Sequence, residues 1–79
     1  MKLKILSPEK TIYDGNADSV LVPGKNNKPF VILDSHTPLI SILENGLVRY
    51  TVNGKDVELL ISSGFVEVRK DVVSVCVEL

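Results

Sequence analysis

Apolar and polar residues alternate with period two along most of this 79-residue chain. Leu3 and Ile5 fall on one parity, Lys2 and Lys4 on the other. Because successive side chains of a strand face opposite sides, this predicts a strand with one wet face. Ser7-Pro8-Glu9-Lys10 predicts a turn, since Pro8 fixes its own φ and pushes Ser7 toward an extended backbone. Thr11-Ile12-Tyr13 resumes the strand, Asp14-Gly15-Asn16 is read as a break or bulge, and Ala17 to Val22 continues with Val20 and Val22 on one side.

Pro23-Gly24-Lys25-Asn26-Asn27-Lys28-Pro29 is the longest polar stretch and is read as an exposed loop. Phe30-Val31-Ile32-Leu33 is a short continuous apolar run, the pattern of a strand covered on both faces. Asp34-Ser35-His36-Thr37 is a loop closed by Pro38, Leu39-Ile40-Ser41-Ile42-Leu43 predicts another buried strand, and Glu44-Asn45-Gly46 turns the chain. The sharpest local signal is the hairpin from Leu47 to Ile61, in which two apolar-rich runs flank Asn53-Gly54-Lys55-Asp56. Asn-Gly tolerates the positive φ angles of a tight hairpin turn. Ser62-Ser63-Gly64 leads into Phe65 to Val68, with Phe65 and Phe30 read as core, and Arg69-Lys70-Asp71 turns. Val73, Val75, Val77 and Leu79 then form one face of a last strand. No segment sustains a helical period.

Short strands with turn signals between them predict an all-β domain, a two-sheet β-sandwich or flattened barrel of about 8–10 strands around one core of Val, Ile and Leu. A single domain of this length buries only about 60% of the surface its unfolded chain exposes, so a partner surface would add to a thin stability margin. Nine basic against 10 acidic side chains give a net charge of −1, without the basic stripe that phosphate neutralisation needs, so nucleic acid is not an expected partner. The single cysteine, Cys76, has no internal disulfide partner and is read as a half-buried strand residue. The first residues form too short an apolar stretch for a signal peptide, and no run approaches the ~20 apolar residues that cross a bilayer. The chain is therefore expected to be soluble and cytoplasmic, with no direct membrane insertion and any membrane association made through another protein.

Candidate chemistry is sparse. Ser62-Ser63-Gly64 lacks the leading glycine of a nucleophile elbow and opens no helix, so a hydroxyl-lined turn is the simpler reading. A metal site needs three or four converging ligands, and Asp34 with His36, the only histidine, supplies two. No glycine-rich loop precedes a helix that could hold a phosphate. No cofactor, metal or nucleotide is expected.

The ordered phrases Ser7-Pro8-Glu9, Val20-Leu21-Val22-Pro23-Gly24, Ser35-His36-Thr37-Pro38-Leu39, Gly46-Leu47-Val48-Arg49 and Ser63-Gly64-Phe65-Val66-Glu67-Val68 span nearly the whole chain. In this order they resemble the N-terminal β-sandwich domain of the epsilon subunit of F-type ATP synthases. That resemblance implies a non-catalytic central-stalk subunit that binds the gamma subunit and the c-ring and couples ion translocation to ATP synthesis. It places Ser7, His36, Ser41, Ser62, Ser63 and Gly64 on or near the gamma contact. The c-ring would meet Lys25, Asn26, Asn27, Lys28, Pro29 and Phe30. The site would lie at the cytoplasmic face of the membrane, held there through the complex. The phrase before the histidine departs from the family, which carries glycines where this chain reads Asn27 to Ser35. Family members also carry a C-terminal helical hairpin; residues 1–79 are expected to be the sandwich alone, without the helical brake or the nucleotide binding some members build with it.

Two other readings stay open on the residues. A stand-alone sandwich binding a peptide or small ligand would show a concave apolar pocket at one end. A small hydrolase using Ser62 or Ser63 with His36 would need those side chains within hydrogen-bonding reach.

Overall fold

The computed structural model describes all 79 residues. Nine strands form: β1 (Lys2–Leu6), β2 (Thr11–Asn16), β3 (Ser19–Val22), β4 (Phe30–Ile32), β5 (Leu39–Leu43), β6 (Gly46–Val52), β7 (Lys55–Ile61), β8 (Ser63–Arg69) and β9 (Val72–Glu78), with one 3-10 turn at Lys25–Asn27. They make a five-stranded sheet in the order β2-β1-β9-β8-β5 and a four-stranded sheet in the order β4-β3-β6-β7. This is the all-β, two-sheet sandwich that the alternation predicts. Every pairing is antiparallel except β1 with β9, which join the two ends of the chain in the middle of the larger sheet.

The two inner faces close on a core of 15 buried residues, more than half of them valine. β8 and β9 supply Val66, Val68, Val73, Val75 and Val77, and β3 and β6 answer with Val20, Val22 and Val48. Valine suits this position because its branched side chain is stiff and packs well on a pleated surface. At one edge of the core the rings of Tyr13 and Tyr50 meet across the two sheets, with centroids 4.8 Å apart.

The hairpin turn forms as expected, with Asn53 at φ 51° and Gly54 at φ 78°. The β8–β9 turn has the same left-handed pair without glycine, at Lys70 (φ 52°) and Asp71 (φ 62°).

Five local expectations are corrected. Asp14-Gly15-Asn16 does not interrupt β2; the ladder irregularity lies at Ile5/Leu6 of β1, and the chain leaves the sheet at Ala17-Asp18. There Ala17 and Met1 exchange two hydrogen bonds of 2.9 Å and the Asp18 N–H donates to the Thr51 carbonyl at 2.7 Å, so the break is set by the partners rather than by Gly15. Phe30–Leu33 is not covered on both faces: β4 is a three-residue edge strand with Val31 and Leu33 exposed, and only Ile32 is buried. β5 is likewise an edge strand, with Ile40 72% and Ile42 57% exposed. Phe65 is 43% exposed and Leu79 extends beyond the sheet into solvent, whereas Phe30 does pack, half-buried, against the core.

Candidate functional site

The outer face of the five-stranded sheet follows from parity. Because Val66 and Val68 point inward, Ser63, Phe65, Glu67 and Arg69 point outward on β8. The same logic puts Ile40 and Ile42 outward on β5, Ser74 and Cys76 on β9, and Lys4 and Leu6 on β1. The register then aligns Ile42 with Phe65, Phe65 with Cys76, and Cys76 with Leu6. Four residues distant in sequence thus form one apolar row across four strands. The next row is charged and polar after its first member: Ile40, Glu67, Ser74, Lys4 and Asp14.

The apolar row floors an open groove of about 540 Å³ completed by Pro8, Ser7, Ser63, Gly64 and Glu78. Its centre is apolar and its rim polar, the layout of a protein contact surface. Burial raises the Cys76 thiol above its ordinary value of 9.0, and the nearby Glu67 carboxylate adds to the effect, so this cysteine is held as a neutral thiol in the groove floor.

The residues expected at the gamma contact fall into two groups. Ser7, Ser63 and Gly64 line the groove directly. The Ser7 hydroxyl donates to the Lys10 carbonyl (3.1 Å) and accepts from the Lys10 N–H (3.2 Å), closing the turn that brings Pro8 over the sheet. Ser62 donates to the Glu78 carbonyl from both its N–H (2.8 Å) and its hydroxyl (3.1 Å), which anchors the corner ahead of β8. At Gly64 a Cβ would run into the Cys76 carbonyl and lie 3.2 Å from the Val77 Cα, so only glycine lets β8 and β9 approach there. Ser41 shares the inward parity of Leu39 and Leu43, half-buried, and its hydroxyl donates to the Ile42 carbonyl at 3.3 Å.

His36 stands apart. Its loop joins β4 to β5 at the opposite end of the sandwich, where its N–H donates to Asp34 Oδ1 (3.0 Å) and its Nδ1 lies 3.5 Å from Asp71 Oδ1. The length of β8 separates that end from Ser62 and Ser63, about 20 Å at the rise of an antiparallel strand. The hydrolase reading ends on that separation.

The Lys25–Phe30 segment caps the same end as the groove. Its 3-10 turn is strapped to the β5–β6 corner: the Asn26 N–H donates to Glu44 Oε1 (3.1 Å) and the Glu44 N–H to the Pro23 carbonyl (2.9 Å). Asn26 and Asn27 take left-handed φ values of 58° and 56°, which asparagine tolerates better than most residues. Gly24 starts the turn because a Cβ there would meet the Lys28 carbonyl and sit 3.0 Å from the Phe30 ring. Lys25 to Pro29 are exposed, and the ammonium groups of Lys25 and Lys28 join none of the ion pairs. The result is a fixed loop that presents two unpaired positive charges.

The whole chain, residues 1–79, matches the ATP synthase delta/epsilon chain β-sandwich domain family. The chain belongs to this family. It is 44% identical over 73 residues to the ATP synthase epsilon chain of Desulfitobacterium hafniense, covering 92% of this chain and 54% of the relative. Against the epsilon chain of Carboxydothermus hydrogenoformans it is 39% identical over 69 residues, 87% of this chain and 51% of the relative. The epsilon-type sandwich thus spans about half the length of the curated relatives it matches. A solved chain from the central stalk/c-ring of the Tetrahymena thermophila mitochondrial ATP synthase shares the fold, with a TM-score of 0.83 at 15% identity over 99% of this chain and 63% of that one. No helix of the sandwich is long and apolar enough to cross a membrane.

The groove floor is what sequence reasoning missed. Its row exists only in the register of four strands, although one local signal pointed to it: Phe65 shares parity with Glu67, not with Val66 and Val68.

Proposed function

We propose that this chain is the β-sandwich of an epsilon-type rotor subunit, without chemistry of its own, that joins the gamma subunit to the c-ring so that ion translocation is coupled to ATP synthesis. The observation that carries the reading is the apolar row Leu6, Cys76, Phe65 and Ile42 on a fold of the ATP synthase delta/epsilon family. In this reading the gamma subunit seats on that outer face. Ser7, Ser62, Ser63 and Gly64 form its near rim, Ser41 supports the edge strand, and His36 reaches gamma only if the contact runs the full length of the sheet. The loop Lys25 to Phe30 meets the c-ring, where Lys25 and Lys28 take carbonyls or carboxylates. The complex holds the chain at the cytoplasmic face of the membrane.

The mechanical logic suits the architecture. A close-packed interior with paired backbone groups deforms little under load, so the sandwich transmits torque as a wedge. A stable grip of this kind buries on the order of 800 Å² per partner.

The test is copurification with the gamma subunit of a bacterial F-type ATP synthase. Capture is expected, and absence of capture under conditions where a full-length epsilon subunit is retained would overturn the reading. The open apolar groove also favours the rival, a module for a free peptide or small ligand; retention of gamma, lost when Phe65 and Ile42 are made acidic, decides against that rival.

A further inference from the structure

β5 reads Leu39-Ile40-Ser41-Ile42-Leu43, the same in both directions. It ends the five-stranded sheet and pairs only with β8. Sheets guard such edges with charges, proline or a bulge. β5 has none within its span, whereas β7, an edge of the other sheet, carries Lys55, Asp56 and Glu58. A two-fold axis at the centre of β7 would also set Glu58 against its own copy.

We propose that β5 is a self-recognition edge: two copies of this chain pair antiparallel through β5 about a two-fold axis at Ser41, joining two five-stranded sheets into one continuous sheet. Such an interface is isologous, so each contact occurs twice and the patch must complement itself. The palindrome meets that condition. It sets Ile40 against Ile42 of the second copy on the outer face, Leu39 against Leu43 on the inner face, and Ser41 against Ser41.

The backbone agrees whichever way the ladder falls. In an antiparallel pair, alternate residues turn both their N–H and C=O toward the neighbour. Ile40 and Ile42 share that parity, as do Leu39, Ser41 and Leu43, so the groups that one copy turns to the open edge face the same groups of the other. Electrostatics agree as well. The charged neighbour in the rows so joined is Glu67, beside Ile40. In the dimer the two Glu67 side chains stand three strand spacings and a two-residue offset apart, about 16 Å, beyond the Debye length of ~8 Å at physiological salt. Four isoleucines meet at the dyad, and the row of each Ile42 continues into Phe65.

The paired strands are about 17 Å long, and the area they cover falls short of the about 800 Å² per partner of a standard interface. The dimer is therefore weak and concentration-dependent.

Sedimentation velocity tests this on the 79-residue chain between about 10 µM and about 1 mM, a span that brackets a weak interface. The unmodified chain is expected to pass from monomer to dimer. Ile40→Lys/Ile42→Lys and Ile40→Glu/Ile42→Glu should each remain monomeric, with circular dichroism and Tm showing an unchanged fold because both positions are exposed. An equimolar mixture of the two should restore the dimer in low salt, since every introduced lysine then faces a glutamate of the other copy. A monomer throughout, a dimer that survives in both variants, or a mixture that stays monomeric would each overturn the proposal. Capture of the gamma subunit is measured separately on the unmodified chain, so that failure of the dimer and failure of the proposed function are told apart.

Discussion

The outer faces of the two sheets come from strands with the same alternation, and they differ in where the charges stand. On the four-stranded sheet, Leu21 of β3 runs in register into Arg49 of β6 and Glu58 of β7. Arg49 Nε and Glu58 Oε2 are 3.3 Å apart, close enough for a charge pair, though the N–H makes no hydrogen bond. The next row holds Thr51, whose hydroxyl donates to Asp56 at 2.6 Å. The apolar residues of this face come as two pairs in different rows, Val31 with Leu21 and Leu47 with Leu60, and the Leu21 row runs on into the charges of Arg49 and Glu58. On the five-stranded sheet the charges keep to the row of Glu67 and Lys4 and to the row of Arg69 and Lys2 beyond it, and Leu6, Cys76, Phe65 and Ile42 run unbroken on the other side. A partner needs contiguous apolar area more than total apolar area. In the proposed function this difference favours the five-stranded face as the docking face.

The largest effect removes both faces at once. Val75 is fully buried between the sheets, and Val75→Asp is expected to cost more than about 4 kcal/mol, enough to unfold a small domain at room temperature. Loss of the far-ultraviolet strand signal checks it, and a folded variant would mean the interior is not the shared floor of the two faces.

A second substitution pair separates the faces. Phe65→Glu should weaken capture of the gamma subunit by about 30-fold or more, the scale of a hot-spot residue, with Tm shifted by a few degrees at most. Leu60→Glu on the opposite face should leave capture unchanged. Equal losses for the two, read by surface plasmon resonance, would erase the distinction.

Alkaline titration probes the same division more gently. Burial, and then the neighbouring Tyr13, raises the Tyr50 phenol above 10.0, as burial and Glu67 raise Cys76 above 9.0. A raised folded value means the native state holds its proton more tightly than the unfolded chain does. The stability from each group is thus full below its ordinary value and is lost as pH climbs through the raised one. Urea midpoints should fall above pH 9, with Cys76→Ala flattening the start of the decline and Tyr50→Phe its upper part. The smallest effect is expected at the ion pair: Arg49→Ala or Glu58→Ala should change unfolding free energy by no more than about 0.5 kcal/mol, because both side chains are partly exposed, 41% and 57%, and water screens the pair. A larger loss in chemical denaturation would mean that the charges brace the four-stranded face rather than merely keep partners off it.

Much of this architecture can be read along the chain, and the limits of that reading have a physical cause. Asn53-Gly54 announces its hairpin because the positive φ requirement is local. Val73, Val75 and Val77 announce their face because alternation is local too. Phe30–Leu33 and Leu39–Leu43 misled, since a continuous apolar run carries no facing information, and whether a strand lies in the middle or at the edge is decided by pairing with distant residues. The same holds for the candidate site. The Ser7 turn, the Ser62-Ser63-Gly64 corner and the Lys25–Phe30 loop are each visible as punctuation. That three of them gather at one end, with His36 at the other, is set by topology alone.

The parallel pairing of β1 with β9 has a consequence in time. Lys2 lies in register with Val72, so the first strand of the sandwich has no neighbour on one side until its ninth is available. During synthesis the larger sheet stays open along its centre, and the valines of β9 reach the interior only when the whole sandwich has left the ribosome. Such long-range closure is slow and leaves apolar strands unprotected while it waits. Stalled or truncated products lacking β9 are therefore expected to be cleared or to aggregate rather than to persist as a smaller sandwich.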